Sequence, residues 1–198
     1  MRINRPTRMG RVLSILTSGF VKCVCSIILT LVLLTGVIMF ILWLSLRPHR
    51  PRFYLSSFTL PGLTPAAPFA FNVTDRNSNR KIGIYYESMD GSVYYTDQRV
   101  SGGPIKVPFY QPPKNTTLFQ GTLGPVLGQG DPIWGRIKAD GKDGRVEFRL
   151  ELNTTIRFKV ELWDTHSHEM YVNCDVELGP DGTMPPEYKD KRCSIYFG

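Results

Sequence analysis

The stretch RVEFRLELNTTIRFKVEL, residues 145–162, alternates apolar and polar side chains over most of its length. A period of two is typical of a β-strand that buries one face and exposes the other. Only the polar triplet Asn153-Thr154-Thr155 interrupts the alternation, so the pattern predicts two strands joined by a hairpin turn at these three residues. The inward positions are Val146, Phe148, Leu150 and Leu152, then Ile156, Phe158, Val160 and Leu162.

The same alternation recurs on both sides of this stretch. Residues 101–135 are rich in glycine and proline, so we expect irregular edges and turns there, and the cluster at 140–144 predicts a further turn. About seven or eight short strands after residue 52, without helical periodicity, predict an all-β domain built as a sandwich. Strand-like runs cover 53–60, 68–74, 81–87, 92–97, 169–178 and 192–197.

A different pattern occupies residues 23–46, where 24 consecutive residues carry no charge. As a helix this run would extend about 36 Å, which exceeds the roughly 30 Å of a bilayer's hydrocarbon core. A helix in a soluble core would show a polar face, and this run shows none. A cleaved signal peptide would have a shorter apolar stretch ending at small residues. The run therefore predicts one uncleaved transmembrane signal anchor.

Charge on the two sides of this helix predicts its orientation. Five basic residues and no acidic ones precede it, and three basic residues follow it within the Pro/Arg connector at 47–52. This bias places the tail at 1–22 in the cytosol and the domain at 53–198 on the other side. The domain itself has 16 basic and 17 acidic residues. The basicity thus belongs to the membrane flanks and favours anionic headgroups over nucleic acid as its partner.

Three N-glycosylation sequons follow the helix, and none precedes it. Asn115 follows a proline-containing loop, and Asn153 lies at the predicted hairpin turn, so both are expected to accept glycans. Asn72 lies within an apparent strand and is the weakest of the three acceptors. The sequons agree with a non-cytosolic domain.

The four cysteines form two pairs. Cys174 and Cys193 lie in the distal domain, at positions whose parity directs both side chains inward, and predict a disulfide in an oxidising compartment. Two separate buried thiols are the alternative. Cys23 and Cys25 stand at the cytosolic start of the helix, where they are either S-palmitoylation sites or small apolar helix residues.

Residues with catalytic potential are sparse. Asp164, His166 and His168 lie in a short polar link between two strands, and a solvated turn explains them better than a metal site. Asp140 and Asp143 are explained equally well by a turn and by weak calcium binding. We therefore expect no catalytic residues, no metal ligands and no cofactor.

Four blocks of sequence resemble those of plant harpin-induced-like proteins, which are related to non-race-specific disease resistance proteins (NHL proteins). They are RPHRPRF at 47–53, NSNRKIGIYY at 77–86, PFYQ at 108–111 with NTT at 115–117, and RFKV at 157–160 with a cysteine downstream. The distal part resembles the late-embryogenesis-abundant type-two domain. The motif residues singled out by this resemblance are Asn77, Asn79, Ile84, Tyr85, Tyr86, Pro108, Phe109, Tyr110 and Gln111.

This resemblance implies an immunoglobulin-like or fibronectin-III-like sandwich and no known catalytic activity. It implies a plant protein of defence and stress responses in the plasma membrane, with the endoplasmic reticulum or another endomembrane as the alternative location. We expect its partners to be the lipid bilayer and an unidentified protein or cell-wall component, with homo- or hetero-oligomers left open and no nucleic acid. Binding of a lipid or small ligand between the sheets is the alternative function.

Overall fold

A computed structural model describes residues 8–45, 48–106, 108–160 and 163–198. The chain divides into two compact units at residues 47 and 48. The first unit contains α1 (Arg8–Ser45), so the helix begins well before the predicted apolar run. Its segment Gly19–Leu44 has a mean hydropathy of 2.8 and no buried side chains, and is long and apolar enough to cross a membrane.

Two threonines inside α1 satisfy their own hydroxyl groups. The Oγ1 atoms of Thr30 and Thr35 donate hydrogen bonds of 2.8 Å to the carbonyls of Ser26 and Leu31, four residues earlier. A hydroxyl paired in this way carries no unmet hydrogen-bond donor into an apolar solvent. The helix therefore presents an apolar surface despite these polar side chains.

The second unit is a two-layered β-sandwich, which confirms the predicted fold class. In the described residues one sheet has the strand order β10-β1-β2-β6, and the other has the order β11-β9-β7-β3-β4, with β5 beside β3 and β8 beside β7. The strands are β1 (Arg52–Thr59), β2 (Phe69–Arg76), β3 (Ile82–Tyr95), β4 (Gln98–Lys106), β5 (Phe109–Gln111), β6 (Thr116–Leu123), β7 (Val146–Val160), β8 (Trp163–Asp164), β9 (His168–Leu178), β10 (Lys191–Arg192) and β11 (Ser194–Phe197).

The predicted hairpin at 153–155 is wrong, because β7 runs through these residues as one strand. Leu152 and Ile156 are four residues apart, so an inward Thr154 keeps the alternation in phase, and Thr154 is 1% exposed. Its Oγ1 donates a 2.6 Å hydrogen bond to the carbonyl of Ser88, where β3 has a register shift opposite β7. The inward polar residue therefore provides a hydrogen-bond donor to the backbone at a bulge in the neighbouring strand.

The segment 101–135 is more regular than predicted, and the turn expected at 140–144 is a helix end. The segment holds most of β4, all of β5 and β6, and the start of α2 (Pro132–Asp143). Asp131 caps α2 by accepting the N–H of Ile133 at 3.0 Å, Pro132 occupies its first turn, and Gly144 ends it at a φ of 131°. The helix buries one side, which consists of Ile133, Trp134, Ile137 and Gly141.

Aromatic rings from both sheets meet in the core. Phe148 on β7 packs against Phe58 and Phe69 of the other sheet, with ring centroids 6.1 and 5.4 Å apart. Tyr86 on β3 similarly meets Phe119 on β6 at 6.0 Å. Edge and tilted contacts of this kind add to the apolar burial that holds the two layers together.

The predicted Cys174–Cys193 disulfide is present, and it lies where the chain changes sheets. Residues 191–192 pair with β1 in one sheet, and residues 194–197 pair with β9 in the other. Between them, the N–H of Cys193 donates a 2.9 Å hydrogen bond to the carbonyl of Phe53. The disulfide thus fastens the crossing point of the last strand to the centre of β9.

We predict that replacing Cys174 and Cys193 by alanine lowers the free energy of unfolding by about 3 kcal/mol, because the closed loop no longer restricts the unfolded chain. The melting temperature should fall by about 6–12 °C. Peptide mapping without reductant checks the bond itself, and free alkylation of both thiols in the native protein would contradict it. Membrane insertion should not change, because the apolar helix is a separate unit.

Candidate functional site

Strand pairing brings the motif blocks together at one end of the sandwich. The short strand β5 lies beside β3, so that Ile84 faces Gln111, Tyr85 faces Tyr110, and Tyr86 faces Phe109. Paired residues project to the same side of a sheet, and neighbouring pairs alternate. The first and third pairs consequently point into the sandwich, whereas the two tyrosines Tyr85 and Tyr110 point outward.

Two buried asparagines, Asn77 and Asn79, organise the loop before β3. The Nδ2 of Asn77 donates to the carbonyls of Ile82 and Pro112, at 2.9 and 3.2 Å. Its Oδ1 accepts two hydrogen bonds of 3.0 Å, from the backbone N–H and the side-chain amide of Asn79. We call this pair the asparagine clamp. Because both amides are fully engaged, their burial carries little desolvation cost.

The asparagine clamp also holds the connector that precedes β1. The Nδ2 of Asn79 donates to the carbonyl of His49 at 2.8 Å, and its Oδ1 accepts the His49 N–H at 2.7 Å. A single amide side chain thereby pairs with both backbone polar groups of His49, as a neighbouring strand would. On the other side of the clamp, the N–H of Asn77 donates to the carbonyl of Asn115, and the N–H of Lys114 donates to that of Asn79.

A buried carboxyl group lies beneath the paired motif strands. The side chain of Asp75 on β2 is inaccessible to solvent, and its Oδ2 accepts a 2.6 Å hydrogen bond from the hydroxyl of Tyr86. The Nε2 of Gln111 donates to the Asp75 backbone carbonyl and to Thr117, both at 3.1 Å. The Oδ1 of Asp75 and the Oε1 of Gln111 are buried without a hydrogen-bond donor in the described parts of the chain.

Burial controls the ionisation of this group. Desolvation raises the pKa of Asp75 from 3.8 to about 7, against the smaller lowering effects of the Tyr86 hydrogen bond and of the neighbouring Gln111 amide. Burial also raises the pKa of Tyr86, and the neighbouring carboxylate raises it further. The neutral carboxylic acid has an O–H that can donate, which suits a site with unmet acceptors.

The outward tyrosines of the motif form a half-exposed surface on the larger sheet. The guanidinium carbon of Arg157 lies 5.2 Å from the ring centroid of Tyr85, and the Nζ of Lys159 lies 5.8 Å from that of Tyr110. Arg157 also contacts Glu87 at 2.7 Å. Tyr110 covers Gly83 so closely that a Cβ there would lie 2.2 Å from the tyrosine hydroxyl oxygen. Glycine at 83 therefore lets the ring lie flat on the sheet.

Several shallow depressions lie on the surface of the described β-unit. One depression carries a mixed set of charges from Glu147, Arg149, Asp175, Glu177 and Lys191. Another lies on β1, β2 and β6, and includes Asn72. Side chains from both sheets fill the space between the layers with one continuous apolar cluster. Nothing in this arrangement favours the small-ligand alternative over a binding surface.

The predicted modification sites occupy different settings. Asn115 is exposed in the loop between β5 and β6, as expected for a glycan acceptor. Asn153 is exposed, but it lies in the middle of β7 between Asp90 and Tyr171 rather than in a hairpin turn. Asn72 is partly buried on β2. Glycosylation of all three stays a prediction, as does lipidation of the exposed free thiols of Cys23 and Cys25.

The polar residues considered for metal binding are placed separately. Asp164 lies 3.8 Å from Arg157 as an ion pair, and Asp140 on α2 accepts a hydrogen bond from the hydroxyl of Tyr95. Among the described residues, no group of three or more His, Cys, Asp or Glu side chains could hold a metal ion. Asp75 was missed by sequence reasoning, although its parity with Phe71 and Val73 on β2 directs it inward.

Comparisons with known proteins identify sequence relatives that cover these residues. The family described as late embryogenesis abundant protein matches residues 72–177, which include the clamp, the buried carboxyl group and the paired motif strands. Protein NDR1 of Arabidopsis thaliana is 30% identical over 178 residues, which cover 84% of this chain and 80% of that protein. NDR1/HIN1-like protein 3 of the same plant is 29% identical over 184 residues, with coverage of 87% and 79%.

Two solved structures show a weaker similarity. A solution structure from Arabidopsis thaliana has a TM-score of 0.41 and 13% identity, and covers 67% of this chain and 83% of that one. A crystal structure of a protein from Archaeoglobus fulgidus has a TM-score of 0.37 and 9% identity, with coverage of 67% and 97%.

We predict that Asp75→Asn removes a pH dependence of stability. The pKa of Asp75 is about 7 in the folded protein and 3.8 without burial, so its contribution is most favourable below pH 3.8 and is lost as pH rises towards 7. At pH 8 the variant should unfold with a free energy up to about 4 kcal/mol higher than the native protein, and at pH 4 the two should be similar. Denaturant unfolding of the full chain in detergent at both pH values measures this.

The matched control for that experiment is Asp90→Asn, which changes an exposed aspartate on β3. It should leave the difference between pH 4 and pH 8 as it is in the native protein. A native protein equally stable at both pH values, or an Asp75→Asn variant that keeps the native difference, would show that folding does not raise the pKa of Asp75.

We also predict that Asn79→Ala releases the connector. The change removes two hydrogen bonds to His49. It also removes one of the two hydrogen bonds that the side-chain oxygen Oδ1 of Asn77 accepts. Together these losses should cost about 2–3 kcal/mol of stability. Hydrogen exchange at the His49 amide should accelerate strongly, as measured by mass spectrometry of the connector peptide. Ser78→Ala, between the two asparagines, should leave this exchange rate unchanged, and an equal rate in all three proteins would contradict the clamp.

Proposed function

This chain belongs to the NDR1/HIN1-like proteins and carries a late embryogenesis abundant domain, and from this premise we propose that it is a non-enzymatic, membrane-anchored interaction protein. Its family places it among plant proteins related to defence and stress, which are not known as enzymes. The apolar helix α1 supplies an anchor, since its segment Gly19–Leu44 is long and apolar enough to cross a membrane. The β-sandwich would be the part that meets a partner.

The observation that carries this proposal is how the motif residues are used. Asn77 and Asn79 bond to each other and to backbone groups, and Tyr86 is bonded to Asp75 beneath the strands. Polar side chains in an active site instead converge on a cleft that a substrate can enter. The motif therefore supports a rigid β-unit at residues 48–198, called the head from here on, with the connector residue His49 fixed to it.

We place the head outside the cell and the N-terminus in the cytosol, with the plasma membrane as the location and an endomembrane as the alternative. The excess of basic residues before the apolar run supports this orientation. The disulfide supports it as well, because such bonds persist in oxidising compartments. Asn115 is exposed where the secretory pathway could glycosylate it.

The outward face of Tyr85 and Tyr110 is the surface we assign to a protein or cell-wall partner. Tyr110 is 46% exposed, whereas Ile84, Tyr86 and Gln111 of the same strand pair are buried. A large ring with cations beside it can stack on a sugar or a peptide while its edge forms hydrogen bonds. Tyrosine and arginine are also the residue types that contribute most at protein interfaces.

We predict that Tyr110→Ala weakens partner capture by the full chain in intact plant tissue. A C-terminal proximity-labelling tag on the native protein should mark extracellular or cell-wall neighbours, and the variant should lose the subset that contacts this face. Loss of a central aromatic anchor typically costs at least about 2 kcal/mol, or some thirtyfold in affinity.

Tyr196→Ala is the matched control, because Tyr196 on β11 is 57% exposed and outside the motif. It should label the same neighbours as the native protein. Labelling confined to cytosolic proteins would contradict the topology, and unchanged labelling by Tyr110→Ala would contradict this face as the binding surface.

A further inference from the structure

Three arginines share the outward surface of the smaller sheet at the end where β1 begins. Arg52 on β1 lies directly opposite Arg76 on β2, and Arg192 on β10 lies opposite Tyr54, two residues farther along β1. All three are exposed. We call them the arginine face. Residues on the same side of neighbouring strands are about 5–8 Å apart, so these cations lie within reach of a single anionic surface.

The arginine face has no carboxylate partner among the described residues. The ion pairs of the described residues involve Arg145, Arg149 and Arg157, all on β7 or just before it. Arg76 donates instead to the hydroxyl of Thr116 at 2.9 Å. Like charges directly opposite each other in a sheet are unfavourable. An anion bound across Arg52 and Arg76 would relieve that repulsion.

Loops at the same end of the fold extend the positive surface. Arg80 and Lys81 follow β2 closely, and Lys114 precedes β6; all three are exposed. Arg50 lines a depression together with Arg192. The domain has a balanced charge overall, so this concentration of cations at one end is local. A local basic surface attracts anions whatever the net charge of the protein.

Covalent geometry identifies the anion that this face can meet. α1 ends at Ser45, and the asparagine clamp fixes His49, only four residues later. Four residues span at most about 14 Å. If α1 crosses a bilayer, lipid phosphates are therefore present near this end of the domain at high effective concentration. Guanidinium groups pair with phosphate through parallel hydrogen bonds.

We propose that the arginine face binds anionic lipid headgroups of the membrane in which α1 is anchored. This inference rests on the proposed membrane anchoring. The bound headgroups neutralise Arg52, Arg76 and Arg192, and they hold the sandwich against the bilayer at the end from which the connector leaves. The tyrosine surface on the larger sheet remains accessible to a partner, because it belongs to the other layer of the sandwich.

Arginine footprinting of the full chain tests this. The protein is placed in nanodiscs of phosphatidylcholine or of an equal mixture with phosphatidylglycerol, and reaction with phenylglyoxal is measured at each arginine by mass spectrometry. Arg99 and Arg136, exposed at the opposite end of the sandwich, serve as internal references. In the mixed discs Arg52, Arg76 and Arg192 should react at least about fivefold more slowly relative to the references. That protection should fall at about 1 M salt.

Two matched double variants test whether the arginine face itself causes the protection. Arg52→Gln with Arg76→Gln should remove the protection of the remaining Arg192. Arg99→Gln with Lys138→Gln changes the same charge at the far end, keeps Arg136 as the reference, and should leave the protection of Arg192 intact. An unchanged melting temperature of both double variants verifies that the fold is kept.

Equal reactivity of the arginine face and the references in mixed discs would overturn the proposal. So would protection by a soluble polyanion such as polygalacturonate in detergent when mixed discs give none, since the occupant would then not be lipid. Extraction of the full chain from membranes at alkaline pH is measured in parallel. A protein that resists extraction without headgroup protection disproves the arginine face alone, whereas a protein that is extracted disproves the anchoring on which it rests.

Discussion

The continuous pairing of β7 is the constraint on which the rest of the sandwich depends. This strand has partners on both sides over nearly its full length, with β3 on one side and β9 on the other. A central strand of this length must satisfy its backbone groups and keep its apolar positions inward at every step. Thr154 shows how strictly this holds, because it occupies an inward position and supplies the hydrogen bond that the bulge in β3 requires.

The sequence predicted features that depend on local alternation and missed those that depend on tertiary context. The period-two pattern identified β1, β2 and β9, and parity placed Cys174 and Cys193 on facing inward positions. The same reasoning divided β7 at a polar triplet, because local alternation does not reveal that the carbonyl of Ser88 on the neighbouring strand needs a hydrogen-bond donor. It missed α2 because glycines at 135 and 141 lower helix propensity, whereas burial of Ile133, Trp134 and Ile137 outweighs that cost.

The motif residues were recognised by resemblance, and the structure assigns a physical task to the buried polar ones. Asn77 and Asn79 stand where backbone groups of three separate segments need partners, and an asparagine amide supplies both donors and acceptors to them. Gln111 performs a similar task for Thr117 and the carbonyl of Asp75. Asp75, which lies outside the motif, has the opposite effect, since burial of a carboxyl group with one unmet oxygen costs stability whenever it is ionised. A plain apolar residue would pack there without that cost.

The first and last segments of the β-unit are fixed beside each other, at the end of the sandwich where the connector enters. The connector is held by Asn79 through His49, and Arg50 lies 5.0 Å from the ring centroid of Phe197 on the last strand. The disulfide and the hydrogen bond from Cys193 to Phe53 join that last strand to β9 and β1. A load arriving through the connector therefore reaches both sheets directly and does not peel one strand away. These cross-links join the first and last segments of the β-unit to both sheets, where free chain ends would otherwise fray.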